Sequence, residues 1–541
     1  MLEYTRLKNN TQKDFSGLKK IKVAMLCDSA SQLLNTALRG YGYDKGINFE
    51  VFEADYDQIE RQVFDNSSEL YSFAPEYIII SKSPHKLLSK FYATHADERA
   101  GFAEKIIQQT DALVTSIENN IGAKVIFLNF QELNDSVFGN YANKVEISFL
   151  YQVRKINLML MDEARRHKNL FICDVQMLTA HQGLHTAVNN KQLISADLIW
   201  SLDFIPVIAK NITSIISAII GTFKKCVILD LDNTTWGGVI GDDGMEGIQI
   251  GDLGIGKAFT QLQKWVKELK HRGIIVCVCS KNSEEVAKEV FEKHPDMVLR
   301  IEDISVFVAN WENKVDNIHF IKNTLNIGFD SMVFLDDNSF ERNMVRSAIP
   351  EIEVPELPAD PVDYLPFLKS LNLFETSSFT ADDSKRTQQY QEEAKRNTLQ
   401  QVYKSEKDFL QHLNMVAEIS FLDSFNIPRA AQLSQRSNQY NLRTVRYTEE
   451  DLGKIAADEK SHAFVVKLRD DFGDYGIISF IILKEKSDKE LFIDTWLMSC
   501  RVLKRTVEHF VLNKMLEIAS ANGYATLTGE FIPTPKNGLV K

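Results

Sequence analysis

The chain has 541 residues, 44% of them hydrophobic, which is too long for one core and fits about three globular domains. Its 62 basic against 74 acidic side chains leave a formal charge of −12, which argues against nucleic acid or an anionic membrane surface as the main partner. Six scattered cysteines, a polar N-terminus and an apolar stretch at 193–223 broken by Asp197, Asp203, Pro206 and Lys210 exclude a disulfide framework and membrane insertion, so a cytoplasmic protein is expected.

Apolar runs at 21–26, 47–53, 77–81, 124–129 and 170–174 read as strands, with helical periodicity over 104–120 and 149–166. Residues 1–220 are therefore expected to form an α/β domain with a mainly parallel sheet, flavodoxin-like or SGNH-like. Two strand ends carry Asp28-Ser29 and Asn129, an arrangement similar to SGNH hydrolases, where an early serine is the nucleophile and a later asparagine supports the oxyanion. The Asp-x-x-His that such a site requires is missing from Ser201-Leu-Asp-Phe-Ile-Pro206, so Ser29 lacks a general base and the domain is expected to be non-catalytic.

The second domain, 221–365, begins after a helix over 211–223 with a strand that ends in Asp230 and Asp232. Two residues apart on an extended backbone, these acids share a face at the carboxyl end of the strand, where open α/β sheets bind ligands. A hard divalent ion such as Mg²⁺ would neutralise them, leaving one carboxylate as nucleophile and the other for proton transfer. Taken alone, the pair is equally an ordinary acidic turn. A glycine-rich segment at 237–256 and a helix at 257–271 follow, then a buried strand ending in Ser280 and Lys281, a loop offering Lys314, and a strand ending in Asp336 and Asp337. Singly, Ser280 reads as a helix cap and Lys314 as a solvated charge.

In that order the four blocks resemble the haloacid dehalogenase superfamily of phosphotransferases. The resemblance implies that Asp230 becomes an aspartyl phosphate, that Asp232 is the general acid/base, that Ser280 hydrogen-bonds the phosphoryl group and that Lys314 neutralises it. It places Mg²⁺ on Asp230, the carbonyl of Asp232 and Asp337 with Asp336 adjacent, and makes Thr234, Asn282 and Asn338 candidate phosphate-binding residues. The intervals Asp230–Ser280 and Ser280–Lys314 are filled by core elements and cannot also hold a cap domain of about 50 residues. The catalytic face is therefore expected to be open or covered by a neighbouring domain, which favours a large or carrier-borne substrate.

Five prolines between Pro350 and Pro366 predict an extended surface connector to a third domain, 366–541. Helices at 381–402, 406–413 and 429–440, strands at 463–468, 476–484 and 490–498, a helix at 503–520 and a strand at 525–529 resemble the α+β GNAT acyltransferase fold. Its pyrophosphate loop needs small residues where Arg501-Val-Leu-Lys-Arg-Thr506 has Lys504 and Thr506, which argues against CoA and leaves Lys504 and Arg505 as point charges for a phosphate. Such folds need a further strand beyond Asn537, so the domain is expected to be incomplete.

Across nearly its whole length the chain resembles the FkbH-like family, through Leu229-Asp-Leu-Asp-Asn-Thr-Thr-Trp-Gly-Gly-Val-Ile-Gly241, Cys279-Ser-Lys-Asn282, His294-Pro-Asp-Met-Val-Leu299, Phe334-Leu-Asp-Asp-Asn338, Asn438-Gln-Tyr-Asn441 and Ser499-Cys-Arg501. That resemblance implies Mg²⁺-dependent phosphoryl chemistry at Asp230 on a phosphorylated small-molecule donor. Family members with a known role take the glyceryl group of 1,3-bisphosphoglycerate, remove phosphate and load an acyl carrier protein thiol, and others act in surface-polysaccharide pathways. A thioester step would need Cys279 or Cys500, although a cysteine in an apolar run is otherwise a buried small hydrophobe. Two alternatives stay open: a plain phosphatase in polysaccharide biosynthesis, and a scaffold that grips a carrier through a degenerate acyltransferase domain.

Overall fold

The computed structural model describes residues 3–133, 135–380, 383, 385–400, 403, 405–534 and 537–540. The chain divides into two compact units, Met1–Ile216 and Ser217–Lys541. Among the described residues no helix is long and apolar enough to cross a membrane.

In the first unit β1 (Lys19–Cys27), β2 (Ile47–Glu53), β3 (Tyr77–Ser81), β4 (Lys124–Leu128) and β5 (Leu170–Cys173) form a parallel sheet in the order β2-β1-β3-β4-β5. The alternate residues Ala24, Leu26, Ile78, Ile80, Val125 and Phe127 share a core with Phe102, Ile106 and Val114 of the helix Phe102–Asn120. The same core takes Phe149, Val153 and Ile156 of the helix Phe149–Arg166. Ser29 is buried and lines a cavity of only about 10 Å³, and no described residue lining that cavity is a histidine. Asn129 donates its amide to Asp174 at 2.8 Å and accepts the Gln176 N–H, so its side chain is committed to joining the β4 and β5 ends.

The second unit opens with a parallel sheet of β6 (Cys226–Leu229), β7 (Ile275–Ser280), β8 (Val306–Ala309) and β9 (Met332–Leu335) in the order β8-β7-β6-β9. Val227, Leu229, Val276, Val278, Val333 and Leu335 pack on one side with the helix Gly256–His271. Cys226, Ile228, Cys277, Cys279, Met332 and Phe334 pack on the other with the helix Lys314–Leu325. Both faces are covered, which is why these strands read as unbroken apolar runs. The proline-rich connector does not simply cross the surface. Glu353 bridges to Val333, and Leu357, Tyr364, Leu368 and Phe374 join the same core as β6, carrying this layer past residue 365.

A second sheet in this unit contains β10 (Val416–Phe421), β11 (Tyr440–Asn441), β12 (Ser461–Asp470), β13 (Gly473–Ser487), β14 (Glu490–Met498) and β15 (Thr526–Gly529). Its pairs are antiparallel except β14 with β15. The helix expected over 429–440 spans Ile427–Arg436, because Tyr440 and Asn441 pair with Met498 and Leu497 instead. The helix expected from 503 starts at Val507, since Lys504 and Thr506 adopt left-handed φ values of 62° and 63°. Both therefore hold the backbone shape of glycine while keeping their side chains. Arg505 is not available to a phosphate; it is buried against Glu393. Of the helix expected over 381–402, Arg386–Gln400 is seen, and residues 381, 382, 384, 401 and 402 lie outside the described residues.

Candidate active site

The chemistry-bearing residues collect where β6, β7 and β9 end. The ladder holds the backbone into the first acid, because the Asp230 N–H donates to the Leu335 carbonyl at 2.9 Å. The Thr235 hydroxyl then returns to the Asp230 carbonyl at 2.6 Å, tightening the turn that places both carboxylates. Lys314 is the first residue of its helix, fixed by Asn313, whose side chain accepts the Val315 N–H at 2.8 Å. From there its ammonium lies 3.0 Å from Asp230 and 2.6 Å from Asp336, only 3% exposed.

Asp230, Asp336 and Asp337 each offer a carboxylate oxygen within 4.8 Å of the others. Burial pushes Asp336 up to about 6, with the Asp230 charge adding to it. Asp337 is raised by the same two causes. Burial lowers Lys314, but Asp230 and Asp336 outweigh it and the net shift is upward. One ammonium among three carboxylates leaves a deficit of positive charge, and oxygen-only donors in a buried cluster fit a hard divalent cation.

Asp232 stands outside that cluster, and its carboxylate is held by three donors. Oδ1 accepts the Trp236 indole N–H at 2.9 Å and the Ile240 N–H at 3.1 Å, and Oδ2 accepts the Asn282 amide at 3.0 Å. Such a clamp suits a proton-transfer group that must stay put, and it leaves the Asp232 carbonyl, the atom expected at the metal, as that residue's link to the cluster of Asp230, Asp336 and Asp337. Asn282 also donates to Ser280 Oγ at 3.1 Å, which leaves the hydroxyl proton of buried Ser280 to be donated elsewhere.

The three residues expected to bind phosphate also hold contacts within the protein, two of them to acids of the site and one to a helix start. Thr234 Oγ1 accepts the Asp337 N–H at 3.0 Å, Asn282 bridges Ser280 and Asp232, and Asn338 caps the helix Ser339–Ala348 by accepting the Phe340 N–H at 2.9 Å. Cys279 is not presented as a thioester carrier: it is fully buried in the core, and burial drives its thiol up to about 12. Cys500 lies in the short helix Cys500–Val502, and its side chain is outside the described residues. Sequence reasoning missed Trp236 and Arg342. The first carried a usable signal, since it lies four residues beyond Asp232. The second donates to the carbonyls of Asp336 at 2.8 Å and Asp337 at 2.6 Å, a contact that no local pattern announces.

The family model described as FkbH, N-terminal domain, matches residues 22–217. The N-terminal part of the protein BF1531 from Bacteroides fragilis, a structure containing a phosphatase domain complexed with Mg, is 51% identical. The match covers 70% of this chain and 100% of that one with a TM-score of 0.68. The chain belongs to the FkbH-like family. The FkbH-like chain also matches a ribosomal-protein-alanine N-acetyltransferase from Brucella melitensis biovar Abortus 2308 at 13% identity over 22% of its length and 83% of that chain, with a TM-score of 0.18. No curated protein matches it.

Proposed function

We propose that the chain is a Mg²⁺-dependent phosphatase or phosphotransferase of the haloacid dehalogenase type that passes a phosphoryl group through Asp230. The observation that carries this reading is the buried Lys314 ammonium set between Asp230 and Asp336, with Asp337 completing an oxygen-only cluster. It is supported by the 51% identity to the N-terminal part of BF1531, which contains a phosphatase domain complexed with Mg. When bound at Asp230, Asp336 and Asp337, Mg²⁺ supplies positive charge that offsets repulsion between the nucleophile and an incoming phosphate.

The residues divide the remaining work. A carboxylate oxygen of Asp230 attacks phosphorus while the bond from phosphorus to the leaving oxygen breaks. Asp232 serves as the general acid that delivers a proton to that oxygen. Asp232 then accepts a proton from water as the water oxygen attacks phosphorus, the bond to Asp230 breaks and inorganic phosphate leaves. Lys314 and the Ser280 hydroxyl are placed to meet charge spread over the equatorial oxygens. Trp311, 77% exposed after β8, and Phe340, 69% exposed after β9, stand at the same end of the sheet and support an open site serving a large substrate.

Coupling to glyceryl or short acyl transfer onto a carrier protein is a separate proposal with its own chemistry. Breaking the P–O bond of an acyl phosphate at Asp230 releases a free carboxylate and leaves no acyl group to pass on. In a coupled reaction Asp230 must therefore act on an ester phosphate of the donor, while a thiol attacks the acyl carbon, forms the C–S bond and expels inorganic phosphate as the C–O bond of the acyl phosphate breaks. Cys27, Cys173, Cys226, Cys277 and Cys279 are all buried, which favours the simple phosphatase reading over a thioester on any of these. Phosphate release from an aryl phosphate should require Mg²⁺ and vanish in Asp230→Asn, and equal turnover in the variant would end the proposal. A glyceryl adduct on a phosphopantetheinylated carrier, after incubation with 1,3-bisphosphoglycerate, would establish the coupled reaction.

A further inference from the structure

The strands β7 and β9 carry two parts of the phosphoryl-transfer site, yet they are not neighbours, because β6 lies between them in the order β8-β7-β6-β9. Ser280 thus ends one strand roughly 10 Å, or two strand spacings, from the strand that delivers Asp336 and Asp337, and the ladder does not join these ends directly. Lys281 bridges that gap. Its ammonium lies 2.6 Å from Glu341 Oε1, in the helix Ser339–Ala348 that follows β9.

Strand alternation explains the contact. Cys279 packs in the same core layer as Val345, and Glu341 lies one helical turn before Val345 on that face. Lys281, two residues beyond Cys279, continues toward that side. Ser280 and Asn282 stand on the other, where Asn282 donates to Ser280 Oγ at 3.1 Å and to Asp232 Oδ2 at 3.0 Å. Three consecutive side chains are thereby tied in opposite directions. The Glu341 end is the firm one: its side chain is 8% exposed against 38% for Lys281. It stands in the first turn of a helix capped by Asn338, beside Arg342, which grips the carbonyls of Asp336 and Asp337. Glu341 Oε2 is buried with no hydrogen-bond partner among the described residues. Leaving a carboxylate oxygen dry costs stability, so the pair is better explained by the arrangement it specifies than by the energy it adds.

We propose that Glu341 is a positioning residue for phosphoryl transfer: through Lys281 it fixes the turn from Ser280 to Asn282, so that Asn282 keeps Asp232 in line with the leaving oxygen. The proposal rests on the assignment of phosphoryl transfer to Asp230 and adds to it a tie between the strand end bearing Ser280 and the one bearing Asp336 and Asp337. The other two donors to Asp232, Trp236 and Ile240, both bind Oδ1, so Oδ2 depends on Asn282. Loosening the turn should therefore blunt proton delivery more than substrate binding.

The test compares kcat/KM of the full chain with Mg²⁺ on phenyl phosphate, whose leaving oxygen needs a proton, and on 4-nitrophenyl phosphate, whose leaving oxygen departs with little help. Lys281→Met should lower kcat/KM about tenfold for phenyl phosphate and by less than about threefold for 4-nitrophenyl phosphate. Lys281→Arg, which keeps the ion pair, should recover most of the loss. In an Asn282→Ala background Lys281→Met should add little, because the link to Asp232 is already cut. Glu341→Leu removes the buried charge and leaves half-exposed Lys281 to water, so it should show the same selective loss and serves if Lys281→Met fails to fold. Equal losses on both substrates, wild-type values in either variant, or a full further loss in the Asn282→Ala background would overturn the proposal, and Asp230→Asn, inactive in the same assay, would leave the assignment of Asp230 standing. Full turnover in Asp230→Asn would remove that assignment and the proposal with it.

Discussion

At the scale of single residues, the site is governed by the balance around Lys314. Replacing it with methionine leaves Asp230 and Asp336 buried without their cation, and losing one partner of a buried pair costs about 3 kcal/mol or more. Lys314→Met should therefore melt well below wild type in EDTA, and Mg²⁺ should close part of the gap by replacing the missing charge. A gap unchanged by Mg²⁺ would mean that the three carboxylates do not share an ion. The raised acid gives a second expectation. Asp336 sits near 6 in the fold against 3.8 when unperturbed, so without metal its contribution to stability is fully present below about 3.8 and is lost as pH rises through about 6. Mg²⁺ favours the ionised form, so its effect on Tm should be larger at pH 7.5 than at pH 5, and differential scanning fluorimetry at the two pH values checks this. The acids were legible in the sequence because strand ends dictate where they go, and Lys314, which begins a helix, was legible only through its place in the order of the four blocks. The duties of Thr234, Asn282 and Asn338 were not, since spacing places a hydroxyl or amide near the site without saying which neighbour its hydrogen bond will choose.

At the scale of elements, the caps and turns hold the chemistry in place. Asn313 caps the helix that begins with Lys314, and Asn313→Ala should cost about 1 kcal/mol of stability. Its effect on kcat should be larger than that loss implies, because the cap also sets where the ammonium points. A proportionate fall in stability with kcat unchanged would make the cap merely structural. Gly238 has φ of 87°, and a Cβ there would lie 2.5 Å from the Asp243 carboxylate that accepts the Val239 N–H. Gly238→Ala should therefore destabilise by roughly 1 to 3 kcal/mol in urea melts. Most strands were readable from apolar runs, whereas β8, β10 and β11 were not among those expected. The end of the helix at Arg436 was not readable either, because it is decided by Tyr440 and Asn441 pairing with a strand nearly sixty positions on, which local periodicity does not carry.

At the scale of the whole molecule, chemistry concentrates at one sheet. The first unit keeps the parallel order that places ligands at strand ends, yet Ser29 faces a cavity of about 10 Å³ and Asn129 is tied to Asp174. Ser29→Ala should leave phosphate release unchanged, and a marked loss would assign that unit a catalytic part. The region of β12 to β15 was legible as strands and helices, whereas β10, β11 and the inward-turned Arg505 depend on contacts with residues distant in sequence. The central claim, that Asp230 carries the phosphoryl group, is met most directly by mass spectrometry of the protein acid-quenched during turnover of an aryl phosphate with Mg²⁺. The account predicts one phosphoryl group on the peptide containing Asp230, absent without Mg²⁺ and absent in Asp230→Asn. Mg²⁺-dependent phosphate release with no phosphoryl adduct, undiminished in Asp230→Asn, would contradict it.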